Sequence, residues 1–235
     1  MNLILKRIGI ICAMSEELKT LHQALKHEQA VNIKGIQFYV GKIDSQPVVL
    51  VQSGIGKVQA GITAAIMIVH FNLKVVINSG SAGGIGSGLS VGDLVVSTGT
   101  AYHDVDVTAS GYKYGQLPNQ PLIFKASPKW ANLIVKASKS VGLTAKKGLI
   151  VSGDQFVASQ SQINLILKNF PDALACEMEG AAIGQVAHQF KMPYVVIRAM
   201  SDVGNGNAEM SFDKFIVKAG KQSAQMLLNL CKALD

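Results

Sequence analysis

The sequence predicts an α/β domain in which a mostly parallel sheet is covered by helices on both faces. Two observations predict it: unbroken apolar segments rich in β-branched residues recur along the chain, and helical patterns separate them. A length of 235 residues with 49% hydrophobic residues suits one sizeable core. No internal repeat or linker interrupts the pattern, so we expect residues 1–235 to form a single domain.

The predicted elements follow one another through the whole chain. Strands are expected where β-branched residues run together, and helices where apolar residues recur every three or four positions. The first third predicts a strand, a helix, two strands and a helix, at 8–12, 15–28, 36–43, 48–51 and 57–71. The middle third predicts a strand, a glycine-rich loop, a strand, a long connection and a helix, at 75–78, 80–88, 94–98, 102–125 and 130–141. The last third predicts alternating strands and helices, at 148–152, 161–169, 173–176, 180–190, 194–200 and 211–234.

The charge pattern argues against a nucleic-acid-binding surface. The net charge is +7, but the only arginines are Arg7 and Arg198, and the lysines are dispersed along the chain. Nucleic-acid-binding modules usually concentrate positive charge on one face and use arginine for bidentate contacts. We therefore expect a solvated basic surface and no nucleic-acid partner.

Neither a membrane span nor a secretion signal is expected. The longest nearly apolar run, 61–69, is about half of what a spanning helix needs. Near the N-terminus, apolar residues precede Lys6 and Arg7, which reverses the charge order of a signal peptide. The cysteines form no CxxC pair and lie among apolar neighbours, so we expect buried free thiols. These features predict a cytoplasmic protein with no membrane partner.

The glycine-rich segments match no complete nucleotide-binding motif. After the stretch 80–88 come Leu89 and Ser90, where a Walker A loop needs Lys followed by Ser or Thr. The segment 54–56 is a GxG that lacks the third glycine of the dinucleotide fingerprint. Two interpretations remain open: turns that only glycine tolerates, or backbone that approaches a small ligand closely.

The histidines show no clear metal-ligand spacing. The one candidate is the segment His103-Asp104-Val105-Asp106, and a polar exit from a strand explains it better than a metal site. No GxSxG elbow is present, and nothing marks one cysteine as a nucleophile. The sequence therefore predicts neither a metal nor a cofactor.

Acidic residues stand just past the carboxyl ends of predicted parallel strands. Glu17 follows the first strand, Glu177 and Glu179 follow the strand at 173–176, and Asp202 follows the last strand. Ligands of open α/β sheets bind beyond these ends, so the carboxylates are candidates for one shared site. Ordinary roles also fit, because acids favour the first turn of a helix and aspartate is common in turns. The residues alone leave both interpretations open.

Several segments together resemble the bacterial 5′-methylthioadenosine/S-adenosylhomocysteine nucleosidases. They are IGIICAMSEE (8–17), SGIGK (53–57), NSGSAGG (78–84), YHDVDVTA (102–109), GLIVSGD (148–154), EME (177–179) and RAMSD (198–202). The resemblance runs from about residue 7 to the C-terminus, and its motifs are specific in combination. It implies the three-layer αβα sandwich of the nucleoside phosphorylase fold, with a mostly parallel mixed central sheet, and a homodimer.

The resemblance also implies hydrolysis of the N-glycosidic bond of 5′-methylthioadenosine, S-adenosylhomocysteine and similar adenosines, without a cofactor. It assigns water activation to Glu17, protonation of the purine to Asp202 and the ribose hydroxyls to Glu179. The other substrate contacts that it implies are Met178 under the sugar, Phe156 and Val157 at the adenine, Ser81 and Gly83 beside ribose and base, and Met14, Ile55 and Phe212 at the 5′ substituent, with Val107 and Pro118 of a partner chain. The chain departs from the family at Ser110, near the 5′ pocket, where a bulky apolar residue is common.

The implied chemistry needs a protonated carboxyl group. Adenine leaves readily only if it does not depart as an anion, and protonation of its N7 prevents this. A free aspartic acid has a pKa of about 3.9, so we expect burial and the nearby Glu17 and Glu179 to raise the pKa of Asp202. The sugar gains oxocarbenium character as the bond stretches, and Glu179 would place negative charge beside it.

Two other functions remain as alternatives. A nucleoside phosphorylase of the same fold grips phosphate with several arginines, but here Asn78 stands where the related phosphorylases carry one, and Glu17 would repel phosphate. A non-catalytic nucleoside-binding protein could lose a carboxylate, yet Glu17, Glu179 and Asp202 are all present. Hydrolysis is favoured over both alternatives.

Overall fold

The computed structural model describes residues 6–202 and 208–234, and in the second range it describes side chains from residue 217 onward. The strands are β1 (Arg7–Cys12), β2 (Lys26–Ile33), β3 (Ile36–Ile43), β4 (Gln46–Gln52), β5 (Leu73–Gly84), β6 (Leu94–Tyr102), β7 (Phe124–Lys125), β8 (Ala145–Ser152), β9 (Ala173–Glu177) and β10 (Tyr194–Asp202). The helices are α1 (Ser15–Gln23), α2 (Lys57–His70), α3 (Pro128–Ser140), α4 (Gln160–Asn169), α5 (Gly180–Gln189) and α6 (Ala208–Ala233), and a short 3-10 helix spans Thr108–Ser110.

These strands form one mixed sheet in the order β10-β6-β8-β9-β5-β1-β4-β3-β2, and β7 pairs with β6. One parallel set contains β4, β1, β5 and β10, and a second contains β6, β8 and β9. β5 pairs with β10 and also, at its last two residues, with β9 in the antiparallel sense, so this side of the sheet closes on itself. The carboxyl ends of β5 and β9 therefore meet, and the ends of both parallel sets converge on one place.

Helices cover both faces of this sheet, which confirms the predicted layered α/β fold. On one face, α1 and α3 pack against α6, and on the other face α2 packs against α5. Alternate residues of β1 serve the two layers: Ile8 and Ile10 belong to the core beneath α1 and α6, and Ile11 belongs to the core beneath α2 and α5. Because both faces are buried, β1 reads as an unbroken apolar run in the sequence.

The helix predicted at 15–28 is wrong in its second half. α1 ends at Gln23, with Ala24 as its C-terminal cap, and β2 begins at Lys26. β2 pairs antiparallel with β3 and forms the edge of the sheet, where most of its residues are exposed. An exposed edge strand needs no apolar run, so the hydrophobic pattern did not reveal it.

The loop predicted at 80–88 is also wrong in part, because β5 continues to Gly84. A Cβ atom at Gly80 would lie 2.5 Å from Nη1 of Arg198 and 2.5 Å from Oε1 of Glu17. The neighbouring strand β10 pairs with this segment as far as Gly83. Close packing of two charged side chains therefore excludes a side chain at Gly80 and overrides the low strand propensity of glycine.

The remaining predicted elements are present, with bounds shifted by a few residues, and β6 and β10 run further than expected, to Tyr102 and Asp202. The cysteines Cys12, Cys176 and Cys231 are free and buried, as predicted. Across the described ranges, no helix combines the length and the apolar character that a bilayer crossing requires.

Candidate active site

A cavity of about 310 Å³ opens where the strand ends converge. It brings together most of the residues that the sequence analysis singled out: Met14, Glu17, Ile55, Ser81, Gly83, Phe156, Val157, Met178, Glu179 and Asp202. They come from segments that follow β1, β4, β8 and β9, from the end of β5 and from the last residue of β10. Residues that are far apart in the chain thus share one concave site at the strand ends.

Two of the named residues, Val107 and Pro118, lie outside the wall of this cavity, and a third, Phe212, is not among the side chains that the structure describes. Val107, half-buried, precedes the 3-10 helix, and Pro118 is exposed in the connection before β7; neither belongs to the cavity wall of its own chain. Phe212 lies outside the residues whose side chains are described. The roles of Val107, Pro118 and Phe212 at the 5′ substituent stay predictions.

The cavity is also lined by residues to which the sequence analysis gave no role. They are Ala13, Ala82, Gln155, Cys176 and Ser201, and the candidate carboxylate Glu177 lines the cavity as well. Each is close in the chain to a residue that the sequence analysis assigned to the site. A strand that ends at the cavity therefore places both residues there. Adjacency of this kind is the signal that could have identified them.

The carboxylate of Glu17 is buried and accepts hydrogen bonds from two neighbouring segments. Its Oε2 accepts from the backbone N–H groups of Ala13 (3.0 Å) and Met14 (3.2 Å). Its Oε1 accepts from the N–H (2.9 Å) and the hydroxyl (3.1 Å) of Ser81. The start of α1 and the glycine-rich end of β5 therefore fix the orientation of this group.

A second group of polar side chains surrounds Arg198, which is fully buried on β10. Its Nη2 donates to Oδ1 of Asn78 (2.6 Å), to Oε2 of Glu177 and to Oε2 of Glu179 (3.3 Å). The other carboxylate oxygen of Glu179 accepts from the N–H of Gly56 at 2.9 Å. One guanidinium thus ties β5, β9 and β10 together and orients Glu179.

Glu177 also holds the start of α5. Its oxygens accept from the N–H groups of Glu179 (3.1 Å) and Gly180 (2.8 and 3.0 Å) and from the hydroxyl of Ser152. These bonds satisfy backbone donors that the first turn of a helix leaves without partners. The acid before α5 therefore performs the ordinary capping function weighed from the sequence, while Glu179, two residues later, keeps its carboxylate at the cavity.

The site gathers more carboxylates than its one buried arginine balances. Burial and, second to it, the charge of Glu177 raise the pKa of Glu179 to about 7, while Arg198 and the N–H of Gly56 act against them. Burial also raises the pKa of Glu17, against the charge of Arg198 and the donors from Ser81 and Met14. Glu179 can therefore take up a proton near neutral pH.

This electrostatic arrangement predicts that the ligand-free protein loses stability as the pH rises from about 4.5 to about 7. The folded pKa of Glu179 lies above its value of 4.5 in the unfolded chain, so the stabilisation is complete below about 4.5 and is lost as the pH passes 7. Glu17 contributes with the same sign. Urea denaturation between pH 4.5 and 8 measures the free energy of unfolding of the wild type and of Glu179→Gln. This free energy should fall less with rising pH in the variant than in the wild type.

The exposed Glu16 supplies the matched control for that measurement. Glu16→Gln should reproduce the wild-type dependence of the unfolding free energy on pH. Parallel curves for the wild type and Glu179→Gln would contradict the assignment of this titration to Glu179.

Asp202, the last residue of β10, places a carboxyl group in the cavity wall. It is 6% exposed, and its Oδ2 accepts from the hydroxyl of Ser201 at 3.2 Å. A Cβ atom at Gly83 would lie 3.4 Å from its Oδ1 and 3.5 Å from the sulfur of Cys176. Glycine at 83 therefore leaves open the space directly beside the acid.

The arrangement suits acid–base chemistry on a small, partly apolar molecule. Among the side chains that the structure describes, no group of three or more His, Cys, Asp or Glu residues could hold a metal ion. His103 is buried, and the pKa of its imidazole is lowered by burial. Oδ2 of Asp104 lies 2.6 Å from the ammonium group of Lys57.

Comparison with known proteins identifies the family. A family model described as the phosphorylase superfamily matches residues 7–232. The 5′-methylthioadenosine/S-adenosylhomocysteine nucleosidase of Staphylococcus haemolyticus is 45% identical over 227 residues, which cover 97% of this chain and 100% of that protein. The enzyme of the same name from Staphylococcus carnosus is 44% identical over the same shares.

Solved structures agree with these relatives. The nucleosidase of S. pneumoniae with the transition-state inhibitor MT-ImmA is 48% identical, with a TM-score of 0.92 and coverage of 97% of this chain and 100% of that chain. The Neisseria meningitidis enzyme in complex with methylthio-immucillin-A is 43% identical, with a TM-score of 0.94 and the same coverage. The chain belongs to the 5′-methylthioadenosine/S-adenosylhomocysteine nucleosidase family of the phosphorylase superfamily.

Proposed function

We propose that this chain hydrolyses the N-glycosidic bond of 5′-methylthioadenosine and S-adenosylhomocysteine, releasing adenine and the 5′-thioribose. The single observation that carries the proposal is that Glu17, Glu179 and Asp202 line one cavity. Relatives named 5′-methylthioadenosine/S-adenosylhomocysteine nucleosidase match nearly the whole chain, and the related S. pneumoniae structure holds the transition-state inhibitor MT-ImmA. The proposal needs no group beyond the substrate, water and the side chains of the site.

Each carboxyl group has a distinct role in the proposed reaction. Asp202 gives a proton to N7 of adenine, so the base departs neutral. Glu179 binds the ribose hydroxyls and places negative charge beside the sugar as oxocarbenium character develops. Glu17 orients a water molecule on the opposite face and takes its proton. Phe156 and Val157 bind the adenine, and Met178 packs under the ribose.

Two contacts support water rather than phosphate as the second reactant. Asn78, which stands where the phosphorylases carry an arginine, is buried and accepts from Arg198. Arg198 is itself engaged by Glu177 and Glu179, so its charge is already balanced within the protein. The carboxylate of Glu17 would repel a phosphate dianion at this place.

An adenine-release assay tests the proposed function. We expect adenine from 5′-methylthioadenosine and S-adenosylhomocysteine at rates that do not change when phosphate is added. 5′-Deoxyadenosine and an aminodeoxyfutalosine-like nucleoside complete the series and define the 5′ preference near Ser110. Release that requires phosphate would show a phosphorylase, and calorimetric binding without release would show a binding protein.

We further propose a homodimer in which Val107 and Pro118 of each chain complete the 5′ pocket of the other. Support comes from the open side of the cavity, where Ile55 is 56% and Phe156 44% exposed. On α2 the apolar side chains of Val58, Ile62 and Val69 are exposed on one face of the helix. Sedimentation equilibrium of the full chain measures the mass of the assembly, and a monomer at micromolar concentration would contradict this proposal.

We also propose that the protein works in the cytoplasm. The described cysteines are buried thiols, which fits a reducing compartment. Fractionation of the source cells with an antibody against the chain measures the compartment. Recovery in a secreted or membrane fraction would contradict the proposal.

A further inference from the structure

Lys57, the first residue of α2, forms a charged cluster outside the cavity wall. Its Nζ lies 2.6 Å from Oδ2 of Asp104 and 3.6 Å from Oδ2 of Asp154. The backbone N–H of Lys57 donates to Oδ1 of Asp154 at 2.9 Å, and the N–H of Asp154 donates to Oδ2 of Asp104 at 2.9 Å. We call these three residues the Lys57 bridge.

The Lys57 bridge joins two segments that line the cavity. Lys57 directly follows Ile55, which lines the cavity, and Gly56, whose N–H donates to Glu179. Asp154 directly precedes the cavity residues 155–157, at which the proposed function places the adenine. We call residues 155–157 the adenine wall, and residues 55–56, whose Gly56 contacts Glu179, the ribose wall. A change in the bridge therefore moves these two walls relative to each other.

The turn that precedes Lys57 depends on the same contact. Gly56 has a φ of +98°, a conformation that L side chains rarely adopt. A Cβ atom at Gly56 would lie 3.3 Å from Oδ1 of Asp154. Asp154 also accepts from the N–H of Lys57 and so partners a free donor of the first turn of α2. The chain thus needs glycine and the bridge together to aim the N–H of Gly56 at Glu179.

Burial divides the bridge into a strong contact and a weak one. The side chain of Asp104 is 11% exposed and that of Lys57 21%, whereas Asp154 is 50% exposed. An exposed ion pair contributes little, while a buried carboxylate that loses its cation is left uncompensated. Oδ1 of Asp104 has no hydrogen-bond partner among the described residues, so Asp104 depends on Lys57 and the N–H of Asp154. The contact between Lys57 and Asp104 is therefore the decisive one.

We propose that Lys57 is a positioning residue that holds the adenine wall against the ribose wall through Asp104 and Asp154. It touches neither the substrate nor the reacting atoms, so its removal weakens substrate binding more than it slows bond cleavage. This inference rests on the proposed hydrolysis for its kinetic readout. Its binding readout, the affinity for free adenine, does not depend on catalysis.

Kinetics of adenine release and calorimetry with adenine test the proposal. For Lys57→Met, which keeps the length of the side chain, we expect KM and the adenine Kd to rise about 10-fold while kcat falls less than about threefold. Lys57→Arg keeps the charge, so its KM and its adenine Kd should lie close to the wild-type values. The exposed Lys139 of α3 provides the control, and Lys139→Met should leave both constants unchanged.

Several results would overturn the inference. A KM and an adenine Kd for Lys57→Met within twofold of the wild type would do so, as would a loss of kcat at constant KM. If thermal melting shows that Lys57→Met does not fold, Asp154→Asn replaces it, with an expected rise of about threefold, and unchanged constants there also count against the bridge. Failure of the wild type to release adenine contradicts the proposed function and leaves the adenine affinity as the test of the bridge.

Discussion

Asp202→Asn is expected to bind substrate with nearly unchanged affinity and to lose about 10²–10⁴-fold in kcat. The amide has almost the shape of the carboxyl group and can still accept a hydrogen bond from Ser201, but it has no acidic proton to give to N7. The space beside residue 202 is kept open by Gly83, so the isosteric change requires no repacking. Single-turnover adenine release, together with the Kd for adenine, separates the lost chemistry from the retained binding.

The control for this measurement is Asp172→Asn, the same change at an exposed position in the turn before β9. It should release adenine at the wild-type rate. Thermal melting of Asp202→Asn should show that the variant is folded. Near-wild-type turnover by a folded Asp202→Asn would refute the assignment of the acid and leave Glu17 or Glu179 as the source of the proton.

The sequence predicted the parts of the fold whose burial is uniform. β1 and β10 are buried on both faces and read as unbroken apolar runs. The strand-end positions of Glu17, Glu179 and Asp202 made them candidates for one site, and the structure brings them to one cavity. The edge strand β2 was not predicted. It pairs with β3 but leaves most of its residues exposed, so it has no hydrophobic pattern. Hydrophobic periodicity reports burial, so an element held mainly by backbone hydrogen bonds gives little signal.

The interior of the site was harder to predict than its rim. Glycine is required at position 80 because atoms of Arg198 and Glu17 fill the space that a Cβ atom would need. These contacts join segments that are distant in the chain, so the local composition does not reveal them. The role of Arg198 was missed in the same way, although one arginine inside an apolar strand is itself a signal. A fully buried charge must be paired, and three carboxylates on other elements were the available partners.

Arg198→Met is expected to lower the free energy of unfolding at pH 7 by about 3–5 kcal/mol, because it leaves buried carboxylates without their cation. Glu177 and Glu179 both lose their contact with Nη2, and Asn78 loses its donor, while methionine fills most of the volume. Because the destabilisation comes from ionised carboxylates, it should shrink as the pH falls from 7 towards 5 and Glu179, whose pKa is raised to about 7, takes up a proton. Urea denaturation at pH 5 and pH 7 measures both effects.

The chain offers its own control in Arg7, the only other arginine, which is half-buried at the start of β1. Arg7→Met should change the free energy of unfolding by less than about 1 kcal/mol. Adding Glu177→Gln to Arg198→Met should restore part of the lost stability, since the double variant removes one of the uncompensated charges. If Arg198→Met proved as stable as Arg7→Met at pH 7, or if the added Glu177→Gln destabilised it further, the carboxylates would not depend on this guanidinium, and the charge balance inferred for the site would be wrong.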